Sequence, residues 1–175
     1  MYSPDEDSYF LSEILTKYLT KLKNKDIKIL DTGSGSGVQA KICIKSRISP
    51  ENITLSDIDS ESLNYLKSNF KKSKIIKSNL FENIKEKFDL IIFNPPYLPA
   101  DKYDNKKDTT GGKLGSETIN KFLNQARDHL ASKGKILLLT SSYSGKINWQ
   151  DYKKKLLAKK KLFFEELCVW LLTSS

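Results

Sequence analysis

The chain has 175 residues, 38% hydrophobic and 29% charged, with a formal net charge of +9. That much apolar material suits one globular domain spanning 1–175 with a full core. It excludes a membrane span: the longest apolar run near the C-terminus, LFFEELCVWLL, is broken by Glu165 and Glu166. The acidic N-terminus has no apolar signal region, so the expected location is cytoplasmic. Only Arg47 and Arg127 are arginines, and the remaining positive charge is lysine spread along the chain. Base-edge and phosphate-fork recognition favours arginine, so solvated lysine surface is the leading reading and a nucleic-acid face the alternative. Cys43 and Cys168 stand singly in apolar segments, which reads as free thiols. With one histidine, His129, and no Cys-x-x-Cys, no metal site is expected.

The first predicted element is a helix. Ser3 is a candidate cap, Pro4 suits the first helical position and Glu6 completes a capping box. Leu11, Ile14, Leu15, Tyr18 and Leu22 then recur at helical spacing. IKILD (27–31) follows as a short buried strand, then a glycine loop and a helix from about Val38 to Ser46. ITLSD (53–57) is the second strand, followed by a helix around Glu61 to Phe70. KIIKS (74–78) and FDLIIF (88–93) are the third and fourth strands. Leu98 to Gly115 is long enough for a functional lid. Ile119, Phe122, Leu123, Ala126 and Leu130 mark an amphipathic helix ending at Lys133-Gly134. KILLLTS (135–141) is the fifth strand. Residues 146–165 are ambiguous between helix and strand, and CVWLL (168–172) reads as buried strand. Alternating strands and helices predict an α/β fold, a parallel sheet with helices on both faces.

Ligands of such sheets gather at the carboxyl ends of the strands, and Asp31, Asp57, Asn79 and Asn94 all fall there. Between strand one and its helix runs Asp31-Thr-Gly33-Ser-Gly35-Ser-Gly37. Its glycines let backbone approach a ligand at a helix N-terminus. The spacing is not the dinucleotide fingerprint, because Val38 occupies the third glycine's place. Asp57 stands where a carboxylate accepts the hydroxyls of a ribose. The fourth strand stops at Asn94-Pro95-Pro96-Tyr97, where two prolines remove two donors and hold the chain extended. That corner offers the Asn94 side-chain oxygen and the Pro95 carbonyl to the two N–H groups of a planar amino group. Tyr97 is placed to stack on it.

Together these segments resemble the class I S-adenosylmethionine-dependent methyltransferases. The nearest likeness is to HemK-type protein glutamine methyltransferases in their short archaeal and eukaryotic form. It rests on YSPDEDSYFL, LDTGSGSGVQA, SDID, FDLIIFNPPYLP, GGKLGSETINKFL and FFEELCVWLL. The resemblance implies a mostly parallel seven-stranded sheet with the last strand antiparallel, and S-adenosylmethionine as cofactor. It implies Asp31, Gly33 and Gly35 at the methionine end, Asp57 at the ribose and Ser8 closing over from the first helix. Asn79 and Leu80 would meet the adenine, with Asn79 where the family often has aspartate. Asn94, Pro95 and Tyr97 would be catalytic. The implied acceptor is a glutamine amide in a class 1 release factor, in a Gly-Gly-Gln motif. An exocyclic amino group of adenine or guanine in DNA or RNA is the alternative. The family's fifth helix is expected to be truncated here. The resemblance also implies a small zinc-binding activator subunit, pairing with the edge strand at Lys74 to Ser78.

Overall fold

The computed structural model describes residues 5–98 and 115–174. The predicted cap residues Ser3 and Pro4, and the lid between Leu98 and Gly115, therefore lie outside the described residues. The apolar runs become β1 (Ile29–Thr32), β2 (Ile53–Asp57), β3 (Lys74–Lys77), β4 (Phe88–Phe93) and β5 (Leu130–Ser141). β6 (Lys153–Leu162) and β7 (Glu165–Thr173) complete one seven-stranded sheet in the order β3-β2-β1-β4-β5-β7-β6. β1 to β5 pair in parallel, and β7 runs antiparallel to both β5 and β6. This is the fold that the resemblance implied.

Successive residues of the central strands point to opposite faces, so each strand feeds two cores. Ile29, Ile53, Leu55, Leu90, Ile92, Leu137 and Leu139 face α1 (Glu6–Thr20), α2 (Val38–Lys45) and the end of α3 (Ser60–Asn69). Leu30, Ile91, Phe93, Ile136 and Leu138 face α4 (Glu117–Ala126) and the Leu80–Ile84 segment. α4 supplies Ile119, Phe122, Leu123 and Ala126, all essentially without solvent contact. Burial of each of the larger three contributes about 1.5–3 kcal/mol. α2 can start only because Gly37 is glycine. Its φ is +69°, and a Cβ there would lie 2.5 Å from the Phe70 ring. The helix therefore packs directly on α3 and aims its N-terminus at the carboxyl ends of the strands.

Four local predictions are corrected. The cap of α1 is Asp5, whose carboxylate accepts from Glu6 N at 2.8 Å, so α1 begins at Glu6 and no capping box forms through it. The first strand is 29–32 rather than 27–31, and the third ends at Lys77. α4 ends at Ala126, and a short turn at Arg127–His129 leads into β5 at Leu130. The predicted stop at Lys133-Gly134 thus lies inside a strand. Cross-strand pairing outweighs helical periodicity here: Leu130 pairs with Phe88, and an irregularity follows before Lys135 meets Leu90. Gly134 fits the irregularity because a Cβ would sit 2.6 Å from the Phe88 carbonyl. The ambiguous 146–165 region is resolved as β6, a lysine-rich edge strand, and residues 142–152 contain no helix. No helix among the described residues is long and apolar enough to cross a membrane.

Candidate active site

At the carboxyl ends of β1, β2 and β4, a cavity of about 580 Å³ opens among the glycine loop, the N-terminus of α1 and the Asn-Pro-Pro-Tyr corner. That volume lies in the range of cofactor sites, about 300–1,000 Å³. It brings together Ser8, Asp31, Gly33, Gly35, Asp57, Asn94, Pro95 and Tyr97, residues scattered over ninety positions of sequence. Asn79 and Leu80 lie outside its wall. Asn79 Nδ2 donates to Glu82 Oε1 at 2.9 Å, and Leu80 is buried in a left-handed conformation. Their turn is nonetheless fastened to the site, since Ser78 N donates to the Asp57 carbonyl at 2.9 Å.

The charge of the wall is opposite to that of the chain. Asp5, Glu6, Asp7, Asp31, Asp57, Asp59 and Glu165 line it, and among the described residues no lysine or arginine does. Phosphate-bearing ligands are disfavoured here, and a cationic ligand is favoured.

Asp57 braces the loop: its Oδ2 accepts from Gly35 N at 2.8 Å and its Oδ1 from Asp59 N at 2.9 Å. Asp31 is buried, and its Oδ2 has no hydrogen-bond partner. Desolvation, and secondarily repulsion from Asp57, raises its pKa from 3.8 to about 8. Such a group is held largely neutral until a cation or donor comes to it.

Asn94 is oriented from the opposite end of the sequence. Its Nδ2 donates to Asp7 Oδ2 and to Ser8 Oγ, each at 3.2 Å. A carboxylate can only accept, so the NH2 side of the amide faces α1. The buried Oδ1 is left without a partner, on a residue that lines the cavity. Gln39 locks α1 in place, donating through Nε2 to the Ser8 carbonyl at 3.0 Å and accepting from Ser12 Oγ at 3.1 Å. Tyr97 packs against both cores.

Sequence reasoning missed several wall residues. Gln39 gives no signal beyond a polar side chain in the first turn of α2. Ile58, 62% exposed between Asp57 and Asp59, is a legible one: an isoleucine left in water beside the cavity. Leu162, Phe163 and Glu165 arrive from the β6–β7 hairpin, more than sixty residues beyond the corner.

A model of the methyltransferase small-domain family matches residues 5–159. The chain belongs to this family. A protein assigned as an N5-glutamine methyltransferase in Methanocaldococcus jannaschii is 35% identical, over 97% of this chain and 89% of its own. The release factor glutamine methyltransferase of Borreliella burgdorferi is 36% identical over 78% of this chain. The match spans only half of that longer enzyme. Among solved structures, a chain of the E. cuniculi Mtq2–Trm112 complex superposes with a TM-score of 0.76. It covers 99% of this chain and 98% of its own at 21% identity. That complex is described as methylating the eRF1 translation termination factor.

As a class I methyltransferase, this protein uses S-adenosylmethionine, and the cavity fits that cofactor. The cofactor carries a sulfonium and an ammonium, which the acidic wall and the unpartnered Asp31 oxygen suit. Its lack of phosphate agrees with a wall that, among the described residues, holds no lysine or arginine. Among the described residues, no group of three or more His, Cys, Asp or Glu is placed to hold a metal.

Proposed function

We propose that this methyltransferase acts as a single catalytic domain on the side-chain amide nitrogen of a protein glutamine. The substrate we infer is the Gly-Gly-Gln loop of a class 1 release factor. The observation that carries the reading is the Asn94 amide in the acidic cavity wall, its nitrogen held by Asp7 and Ser8 and its buried oxygen left without a partner. An amide nitrogen is a poor nucleophile because its lone pair is delocalised. Asn94 Oδ1 and the Pro95 carbonyl accept its two N–H groups, orient it and support the positive charge that develops on it. Bound S-adenosylmethionine supplies an electrophilic methyl group on sulfur. With that methyl group in place, Asn94 and Pro95 would hold the amide nitrogen toward it, and the N–H proton, acidified as the nitrogen is alkylated, would pass to solvent. Tyr97 stacks on the planar amide. Asp31 and the Gly33–Gly35 backbone hold the methionine end, Asp57 the ribose, and Ser8 closes the site. Asn79 and Leu80 meet the adenine at the margin beyond Ile58.

The names of the archaeal and bacterial relatives support a glutamine acceptor. The acidic residues of the wall also disfavour a phosphate backbone near Asn94. A partner fits the other side of the molecule. β3 is an outermost strand, bonded only to β2, with Ile75 and Ile76 half-buried. A small zinc-binding activator adding a strand there would cover that edge.

The deciding experiment offers labelled S-adenosylmethionine with a class 1 release factor, DNA and ribosomal or transfer RNA side by side, with and without the activator. Label is expected in the release factor, lost when its Gly-Gly-Gln glutamine is replaced, with a higher rate when the activator is present. Label in nucleic acid alone would reassign the acceptor, and an unchanged rate from a monomeric chain would remove the activator.

Asp31 gives the pH behaviour. Its pKa is near 3.8 unfolded and about 8 folded, so between those values the folded chain holds the additional proton. Stability of the ligand-free protein should therefore decline as pH rises through that window, and level off above about 8. A cationic cofactor favours the ionised carboxylate, so its binding near pH 7 should release a proton. Calorimetry in buffers of different ionisation enthalpy reads that proton, and Asp31→Asn should abolish both effects.

A further inference from the structure

The β6–β7 hairpin turns at Phe163 and Phe164, which are 98% and 92% exposed. Two adjacent phenyl rings in water are unusual in a chain that buries its other phenylalanines among the described residues almost completely. The turn is also held firmly. Tyr143 Oη donates to the Phe164 carbonyl at 2.9 Å, and Ser141 Oγ donates to Glu165 Oε1 at 2.5 Å. Ser142 N donates to the Glu166 carbonyl at 2.9 Å, and Glu166 N donates back to Ser142 Oγ at 3.0 Å. Lys160 pairs with Glu6 at 3.0 Å, which ties the arm to the helix that orients Asn94. Phe163 shares the cavity wall with Asn94, Pro96 and Tyr97.

We propose that the Phe163–Phe164 tip is a docking surface for the substrate protein. It grips the polypeptide that flanks the acceptor amide. The inference rests on the protein-amide reading above. A fixed tip loses little conformational entropy on contact, and flat aromatic faces suit a loop whose neighbouring residues lack side chains. Charge favours protein over nucleic acid as the occupant. Lys161 is exposed beside the tip, but Lys159 is paired with Glu166 and Lys160 with Glu6, and the tip adjoins the acidic wall.

The test measures steady-state methylation of a class 1 release factor by the full chain, with its activator where activity requires it. Phe164→Ser, alone and with Phe163→Ser, should raise KM for the release factor about tenfold or more, with a far smaller effect on kcat. For Phe164→Ser, at a residue outside the cavity wall, cofactor affinity and melting temperature should stay at the wild-type values. The Phe163→Leu, Phe164→Leu pair keeps apolar bulk without flat faces and should fall between. An unchanged KM with a lowered melting temperature would mean that the tip serves the chain's own fold. An unchanged KM with weakened cofactor binding would make the tip part of the cofactor wall. Either result overturns the proposal while leaving the glutamine reading intact. Wild-type label confined to nucleic acid would overturn both.

Discussion

Replacing Asn94 by alanine should reduce methyl transfer by about 10²–10³ while leaving S-adenosylmethionine binding close to wild type. The side chain offers the cavity one oxygen, and its nitrogen is committed to Asp7 and Ser8. Its bonds to the acceptor strengthen as positive charge develops on nitrogen, so the loss falls on kcat more than on KM. Asn94→Asp is informative because it keeps the oxygen. It also sets a carboxylate against Asp7, and like-charge repulsion should displace the corner or protonate one of the pair. Single-turnover methylation and calorimetry on the same preparations separate the two steps. Equal single-turnover rates for wild type and Asn94→Ala would end the mechanism.

The second large effect belongs to Asp57. Asp57→Ala should weaken cofactor binding by about 10²-fold, because a charge-assisted acceptor contributes about 1.5–3 kcal/mol per bond. The substitution also releases Gly35 N and Asp59 N, the two donors that its carboxylate holds. The glycine loop then loses its brace as the ribose loses its acceptor. Asp57→Asn retains one oxygen and turns an NH2 toward one of those donors, so an intermediate affinity is expected. Calorimetry gives the comparison directly, and wild-type affinity in Asp57→Ala would move the ribose elsewhere.

What the sequence determined by itself was local. The segments ITLSD and FDLIIF set β2 and β4 to the residue, and Gly37 set the start of α2, because these signals depend on neighbours along the chain. The Asn-Pro-Pro-Tyr corner and the glycine loop were legible for the same reason: proline and glycine act on their own backbone. Tertiary structure decided the rest. Leu130 to Gly134 continue a helical pattern yet form a strand, because pairing with Phe88 and Leu90 satisfies backbone groups that a longer α4 would leave unpaired with β4. The lysine-rich β6 became a strand through its partner β7 despite its weak apolar pattern. The orientation of Asn94 depends on Asp7, 87 residues away. The protonation of Asp31 depends on burial and on Asp57. Phe163 reached the cavity because the β6–β7 hairpin folds back to α1 through Lys160 and Glu6. Register, desolvation and charge proximity are properties of segments brought together, and no window of sequence contains them.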